Sequence, residues 1–340
     1  MRRLARHLAA LLTAAGVCLM TGGVDGRLGT YMLSMPQSER MKNVTVLTAS
    51  PVCARPVPEP LVRTFGLAPP QESFSPPPMP TTEPDTILET TIEGGMRIKN
   101  ETGYWVDAAE LLAEGPGLTL PPGEPQILII HTHASEAYTQ SGSDRYAASD
   151  VNRTEDTQFN VVRIGDELTE ILTEAGLYVL HDRGIYDYPS YTGSYTRSGQ
   201  AVEQILESCP SIRIVLDIHR DALGSEGVVY KTMAEEEGSV ASQVMLLVGS
   251  DESGLPHPGW RGNLALAMYL QNAVNSSYPT LMRPVALVPQ RYNQQLAPGS
   301  LILEVGSSGN TLREALAAIR LFGSAAAPAL MALVQESGEE

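Results

Sequence analysis

Histidine and glutamate side chains follow an apolar run near the middle of the chain. The stretch PQILIIHTHASEAY, residues 125–138, places His131, His133 and Glu136 within six positions after a run without charge or glycine. Neutral imidazole and carboxylate groups are normal zinc ligands, and a catalytic zinc site uses three protein ligands and leaves one position for water. The stretch is therefore either a buried strand that delivers metal ligands at its end or a core strand followed by a polar loop.

Two further apolar runs also end in ionisable groups. The run IRIVLDIHRD contains His219, and the run GSLILEVGSSGN contains Glu304. In an open, mostly parallel sheet, ligands bind outside the carboxyl ends of the strands, so residues far apart in sequence can meet in one cleft. A zinc hydrolase also needs a carboxylate that takes the proton from the attacking water. Glu304 is the candidate, because an unpaired charge in an apolar run is costly and requires a specific reason.

Neighbouring polar residues allow a functional and a structural interpretation. Asp217 and Asp221 flank His219 and either orient its imidazole or are solvated loop acids. Arg220 is either a structural ion-pair residue or a substrate contact. Glu155 precedes a predicted helix, where an acid favours the helix dipole, and metal ligation is the alternative.

Three other features complete the set of candidates. Asn310, which follows the third run, is a candidate for contacting substrate or orienting a ligand. His181 and His257 have no neighbours of ligand type at useful spacing and are predicted to be structural. The stretch YPSYTGSYTRSGQ, residues 188–200, could line a sugar or peptide groove or form a simple surface loop.

The hydrophobic pattern from Gln126 onward predicts the elements that position these residues. Short runs rich in Ile and Val alternate with amphipathic helical stretches, which is the pattern of an α/β domain. We expect a mixed, mostly parallel twisted sheet flanked by helices. Strands are predicted at residues 127–130, 178–180, 212–218, 228–231, 243–248 and 301–305. Helices are predicted after Asn160 as far as Gly176, and at 198–208, 260–275 and 311–322.

The N-terminal part of the chain has a different character. Three arginines in the first six residues precede 17 uncharged residues, 8–24, which is the layout of a signal peptide or signal anchor. Eleven prolines in residues 51–84 predict a semi-rigid spacer. We therefore predict a signal segment at 1–25, an extracytoplasmic proline-rich linker at 26–95 and a catalytic domain with a short lead-in at 96–340.

The net charge limits the partners. With 39 acidic and 23 basic side chains the chain carries −16, which argues against a nucleic acid, since few cations are available to replace counterions around phosphate. Three cysteines do not supply a disulfide framework or a cysteine zinc site.

Five motifs together resemble a known family. The stretches ILIIHTHASEAYT, FNVVRIGDELTEILTEAG, YDYPSYTGSYTRS, PSIRIVLDIHRDAL and LILEVGSSGNTLREA look like the stage II sporulation protein P family of endospore-forming bacteria. The resemblance covers residues 96–322, and the N-terminal segment and spacer also fit that family's layout.

The resemblance implies a zinc-dependent peptidoglycan hydrolase related to the N-acetylmuramoyl-L-alanine amidases, with endopeptidase activity on cross-linked peptides and one zinc ion per chain. It implies the twisted sheet flanked by helices of those amidases. It also implies action at the sporulation septum during engulfment, with stage II sporulation protein D as a transglycosylase partner and stage II sporulation protein M as a membrane recruiter.

The family's motifs carry over onto particular residues. One of His131 and His133 is implied as a zinc ligand, His219 as another and Glu304 as the catalytic acid and base. The wider amidases would favour Glu155 as the remaining ligand and the HTHxxEAY pattern favours Glu136, which is our prediction. Two other functions are open: a scaffold that binds peptidoglycan without hydrolysis, and a zinc carboxypeptidase or deacetylase acting on the same wall.

Overall fold

The computed structural model describes residues 86–225, 227–236 and 238–335. The predicted signal segment and the proline-rich spacer at 51–84 lie outside the described residues. The strand β1 lies within the range 26–95 predicted for the linker. The strands are β1 Thr86–Thr90, β2 Ile98–Asn100, β3 Ile127–Ile130, β4 Val179–His181, β5 Ile214–Asp221, β6 Gly224–Ser225, β7 Val228–Thr232, β8 Ala234–Glu236, β9 Ser239–Ala241, β10 Val244–Gly249, β11 Val285–Val288 and β12 Gly299–Ser307. The α-helices are α1 Ala108–Glu114, α2 Val161–Glu174, α3 Ser194–Ser208, α4 Trp260–Ser277 and α5 Leu312–Met331, and a 3-10 helix spans Gln294–Leu296.

The central sheet has seven strands in the order β2-β11-β10-β12-β5-β3-β4. Neighbouring strands are parallel except for β10 and β12, which are antiparallel. The strands β12, β5, β3 and β4 therefore point one way, and β2, β11 and β10 point the other way. Two small sheets have the orders β1-β7-β6 and β8-β9. The strands β6 to β9 come from the segment between β5 and β10, and β1 pairs with β7 of that segment.

This topology confirms a mixed α/β fold and corrects the expectation of a mostly parallel sheet. The chain returns from β11 to β12 through a loop and the short 3-10 helix, not through a crossover α-helix. A short connection of this kind cannot carry the chain back to start a parallel strand, so β12 enters the sheet in the opposite direction to β11. The strands β3, β5 and β12 still share one direction, and their carboxyl ends lie at the same edge.

Alternating residues of these strands face opposite sides of the sheet. On one side Leu216, Ile218, Leu303 and Val305 join the main hydrophobic core with residues of α2, α4 and α5. On the other side Leu128, Ile130 and Val215 pack with Val202 of α3 and form a smaller core. The same alternation places Asp217, His219 and Glu304 on the side of the smaller core.

Most predicted elements are confirmed within a few residues. The strand β3 has the predicted bounds, and β5 and β12 extend beyond them at their carboxyl ends. The strand β11 was missed, and α5 continues past the predicted end at residue 322 with Pro328 inside it. By length and composition alone α5 could cross a membrane, but its buried residues belong to the main core.

Candidate active site

Three strand ends bring the predicted site residues to one edge of the sheet. In the parallel pair β12 and β5, Glu304 lies opposite His219 and Ile302 lies opposite Asp217. In the pair β3 and β5, Ile130 lies opposite Asp217, so the loop that begins at His131 starts beside this pair. The convergence predicted from the three apolar runs is therefore observed.

His133, Glu136 and His219 lie close together on this edge. The rings of His133 and His219 are 5.2 Å apart between centroids and nearly perpendicular. Nδ1 of His219 lies 3.5 Å from Oε2 of Glu136. Nδ1 of His133 is buried and has no hydrogen-bond partner. Burial and the neighbouring His219 lower the pKa of His133 to about 4, so its ring is neutral at pH 7.

Asp217 holds His219 from the opposite side. Its Oδ1 lies 2.9 Å from Nε2 of His219, although the angle is not that of a hydrogen bond. The backbone N–H and the hydroxyl of Thr132 donate to the two oxygens of Asp217 at 2.8 and 2.6 Å. Burial opposes the charged form of His219, but Asp217 and Glu136 outweigh it and raise the pKa of His219 well above its ordinary value.

Glu136 is ionised at the centre of a hydrogen-bonded group. The backbone N–H of Arg220 donates to its Oε2 at 3.2 Å, and Arg153 donates to Oε1 at 3.4 Å. Burial alone would raise the pKa of Glu136, but the hydrogen bond to His219 and the charge of Arg220 lower it to about 2. An ionised carboxylate and a protonated imidazole thus face each other at 3.5 Å.

Glu304 has an unusual environment for a carboxyl group. Its Oε2 is buried and has no hydrogen-bond partner. Burial raises the pKa of Glu304 to about 8, against the opposing effect of the charge on His219. A carboxyl group with a pKa near neutrality can both accept and return a proton at physiological pH.

His131 is turned away from this group. Its Nδ1 lies 3.1 Å from the carbonyl oxygen of Ile218, and its Nε2 lies 2.8 Å from Nε2 of His181. Nδ1 of His181 in turn lies 3.3 Å from Asp166. Both ring nitrogens of His131 are therefore occupied. His181 was predicted to be structural because it lacked neighbours of ligand type in the sequence, and that reasoning missed its contact with His131.

The remaining candidates do not join the cluster through their side chains. The guanidinium of Arg220 donates to the carbonyl oxygens of Ala137 at 2.8 Å and Asn152 at 3.0 Å, so it holds two loop segments together. Asp221 forms an ion pair of 2.8 Å with the buried Arg283. Asn310 is buried and accepts from the backbone N–H groups of Thr232 and Ser307.

Glu155 makes no described side-chain contact with the candidate ligands. It is exposed in the loop before α2, and none of the described hydrogen bonds or ion pairs joins it to another candidate. The helix is capped instead by Asn160, whose side chain accepts from the N–H of Val162 at 3.0 Å. The capping role considered for Glu155 therefore belongs to Asn160.

Sequence reasoning missed Arg153 and Asp187. Arg153 donates to Asp187 at 2.7 Å and also reaches Glu136. The carboxylate of Asp187 accepts from the backbone N–H and the hydroxyl of Ser135 at 3.1 and 2.6 Å. No periodicity marks these residues, because each lies in a loop whose path depends on the whole fold.

The donor set has the chemistry of a zinc site, but no three His, Cys, Asp or Glu side chains of the described part of the chain are placed so that they could hold a metal ion. Two donors on one zinc ion stand about 3.4 Å apart when the bonds are about 2.1 Å long and tetrahedral. The separation of 3.5 Å between His219 and Glu136 is close to that distance. Nδ1 of His133, in the neighbouring ring, is the third candidate donor and has no hydrogen-bond partner, and a proton on His219 balances charge where a cation would do so.

The chain is similar to known proteins in its sequence. The family model described as Stage II sporulation protein P matches residues 81–327. Stage II sporulation protein P of Bacillus subtilis (strain 168) is 25% identical over 203 residues, which cover 55% of this chain and 47% of that protein. The matched region thus spans about half the length of that curated relative.

Solved structures with some likeness are also found. The N-acetylmuramoyl-L-alanine amidase AmiC2 of Nostoc punctiforme is 13% identical, with a TM-score of 0.35 over 61% of this chain and 96% of that chain. The CwlD amidase from Clostridioides difficile, in complex with the GerS lipoprotein, is 12% identical, with a TM-score of 0.35 over 61% of this chain and 98% of that chain.

Proposed function

Because the chain belongs to the stage II sporulation protein P family, we propose that it is a zinc-dependent peptidoglycan hydrolase. The bond cleaved is the amide between N-acetylmuramic acid and the L-alanine of the stem peptide. One observation carries this proposal: two imidazoles and an ionised carboxylate converge at one sheet edge, next to a carboxyl group of raised pKa.

One zinc ion per chain would be held by His133, Glu136 and His219. His131 is not in this set, because both of its ring nitrogens already have partners. We leave Glu155 outside this set, because it is exposed in the loop before α2. Zinc bound there would act as a Lewis acid toward the amide carbonyl and the attacking water.

Glu304 is the proton-transfer residue. Its carboxyl group lies beside His219 in the register of β12 and β5, and its Oε2 has no partner that would compete for a proton. Since its pKa is about 8, about a tenth of these groups are ionised at pH 7, and a nearby cation would raise that fraction. Glu304 accepts a proton from water and delivers it to the leaving amine of L-alanine.

Asp217 and Thr132 orient the ligands without touching the substrate. Asp217 fixes the ring of His219 from the side away from Glu136, and Thr132 fixes Asp217 with two hydrogen bonds. Partners of this kind hold a metal-binding histidine in one orientation and raise its basicity. Arg220 keeps Glu136 in place through its backbone N–H.

Family membership supports a proposal for the cellular setting. We propose that the N-terminal segment at 1–25 directs the catalytic domain outside the membrane, and that the domain acts on septal peptidoglycan during engulfment. Stage II sporulation proteins D and M are proposed partners, and hydrolysis of cross-link peptides is a proposed second activity.

Digestion of purified peptidoglycan tests the proposal. The full chain with zinc is expected to release intact stem peptides that begin with L-alanine, identified by mass spectrometry. The change Glu304→Gln should lower kcat by about 10²–10⁴, the usual contribution of a general acid and base, while the zinc content stays at one per chain. Full turnover by Glu304→Gln would refute the assignment.

The same digest separates the alternatives. Release of a terminal amino acid would indicate a carboxypeptidase, and release of acetate would indicate a deacetylase. Binding to peptidoglycan with no released product, and no bound zinc, would indicate the scaffold. Arg320→Gln is the control, because Arg320 forms an exposed ion pair with Glu167 away from the strand ends.

A further inference from the structure

A tyrosine-bearing loop covers one side of the candidate site. The loop at 187–193 precedes α3, and its residue Tyr191 lies parallel to the ring of His133 with 4.5 Å between centroids and 5° between planes. Tyr191 is nevertheless 58% exposed, whereas His133 is 5% exposed. An aromatic residue that stays this exposed contributes little to the hydrophobic core, so folding alone does not explain its position.

The loop is held in a defined conformation. The guanidinium of Arg197 in α3 donates to three backbone carbonyl oxygens in or next to this loop. These are the carbonyl oxygens of Tyr186 at 2.7 Å, of Thr192 at 3.1 Å and of Ser190. The guanidinium of Arg153 also lies near the ring of Tyr191, 5.1 Å from its centroid. Arg153 is itself bound to Asp187 at the start of the loop. Tyr191 is therefore positioned by two arginines and does not depend on its own burial.

Two more tyrosines extend this surface. The ring of Tyr195 meets the edge of His133 at 5.3 Å, and Tyr292 lies 5.3 Å from Tyr195. Each of these rings carries a phenolic hydroxyl group that can donate and accept hydrogen bonds. We name Tyr191, Tyr195 and Tyr292 the tyrosine wall.

The neighbouring strand β10, on the other side of Glu304 from β5, presents aliphatic side chains and not tyrosines. Met245 lies opposite Glu304 in the antiparallel pair of β10 and β12, and Leu247 lies opposite Ile302. Both are partly exposed, while Val244 and Leu246 on the same strand face the main core. This side offers aliphatic surface, and the tyrosine wall offers aromatic rings with neutral hydroxyl groups.

We propose that the tyrosine wall is the sugar subsite of the enzyme, where Tyr191 contacts the N-acetylmuramic acid ring next to the scissile amide. Aromatic rings with neutral hydroxyl groups match the apolar C–H face and the hydroxyl groups of a pyranose, since they combine an apolar surface with a polar edge. Contact with His133 places the wall beside the reacting bond. This inference rests on the proposed function, because it takes His133 as a ligand of the catalytic metal.

Two ligands that differ only in the sugar test the inference. One is a disaccharide bearing the stem peptide, and the other is the same peptide acylated with lactate and lacking the sugar. Binding to the zinc-loaded full chain is measured by calorimetry in a Glu304→Gln background, so that hydrolysis does not consume the ligands. Zinc content is measured for every variant.

The change Tyr191→Ala is expected to weaken binding of the sugar-bearing ligand at least tenfold and binding of the lactoyl peptide less than twofold. Tyr191→Phe should retain most of the affinity if the ring dominates the contact. Tyr178→Ala is the matched control, because Tyr178 is also exposed but precedes β4 at the opposite edge of the sheet. It should bind both ligands like the parent.

Equal losses for both ligands, or loss of zinc from Tyr191→Ala, would overturn the inference, since Tyr191 would then serve only to support His133. Tyr292→Ala provides a second test if Tyr191→Ala does not fold, with the same selective loss expected and equal losses again overturning it. Failure of the proposed function has a separate signature: the protein would not hydrolyse peptidoglycan, whichever ligand Tyr191 prefers.

Discussion

Nε2 of His131 lies 2.8 Å from Nε2 of His181, with both rings enclosed by the protein. One ring donates and the other accepts, so a single proton is shared between them. Burial and the neighbouring His181 lower the pKa of His131 to about 3. The two histidines of the HTH sequence therefore have different environments, although they are two residues apart.

Metal content should separate these two histidines. His133→Ala and His219→Ala are expected to lose the single zinc ion, because each removes a proposed ligand. His131→Ala should keep it and instead lower the free energy of unfolding. Elemental analysis and thermal unfolding of the three variants check this. Loss of zinc from a folded His131→Ala protein, with zinc retained in His133→Ala, would reverse the assignment.

Gly165 provides a prediction about packing behind the site. A Cβ atom at this position of α2 would lie 2.6 Å from Nε2 of both His131 and His181. We expect Gly165→Ala to lower the free energy of unfolding by about 1–3 kcal/mol, the usual cost of overpacking. Gly262 of α4 is the matched control, because nothing lies within 4 Å of its added Cβ.

Gly262→Ala should raise the free energy of unfolding by about 0.5–1 kcal/mol, since alanine is the better helix former. Urea unfolding measures both changes. Equal stabilisation by both substitutions would show that the histidine pair can move aside.

Glu304 should make the metal-free protein less stable as the pH rises. Its pKa is about 8 when folded and near 4.5 when unfolded. Between these values the unfolded chain releases a proton that the folded protein keeps, so the unfolded state is increasingly favoured. The loss should reach about 2–4 kcal/mol across the window, at 1.4 kcal/mol for each pKa unit and discounted for partial exposure.

Urea unfolding at pH 5 and pH 8, with a chelator present, checks this prediction. Glu304→Gln should be stabilised relative to the parent at pH 8 and should differ little at pH 5. A constant difference between the two proteins would show that Glu304 titrates normally in the folded state.

Zinc binding should release a proton at neutral pH. The pKa of His219 is raised well above its ordinary value, so a proton competes with zinc for the same ring and affinity falls as the pH is lowered. Calorimetry in buffers with different heats of ionisation counts the protons released. Asp217→Asn should reduce that number, because it removes a carboxylate that stabilises the charged ring. An unchanged number would contradict the role given to Asp217.

Local pattern was enough to predict the strands that carry the site. The carboxyl end of the buried strand β3 is marked by the change from apolar to polar residues at His131, whereas β5 and β12 continue past the ends of their apolar runs. The reversal of direction between β10 and β12 could not be predicted, because it depends on which strands become neighbours. The strand β11 was missed because four apolar residues between loops lack a distinctive period.

The partners of the predicted residues were harder to find. His181 meets His131 because β4 pairs with β3, with Ile129 opposite His181, and neither residue carries a signal of that pairing. Arg153 reaches Glu136 from a loop whose course depends on the completed fold. The candidacy of Glu304 could be predicted, because a single charged residue within an apolar strand is visible in the sequence itself.

The alternation of β12 has a consequence for how this protein can evolve. Leu303 and Val305 belong to the main core, and Glu304 between them faces the reacting groups. A one-residue insertion or deletion here would exchange the two faces, burying the acid in the core and exposing leucine to the substrate. Selection for folding and selection for catalytic turnover thus act on adjacent residues of one strand. This strand can therefore change only by substitution at constant length.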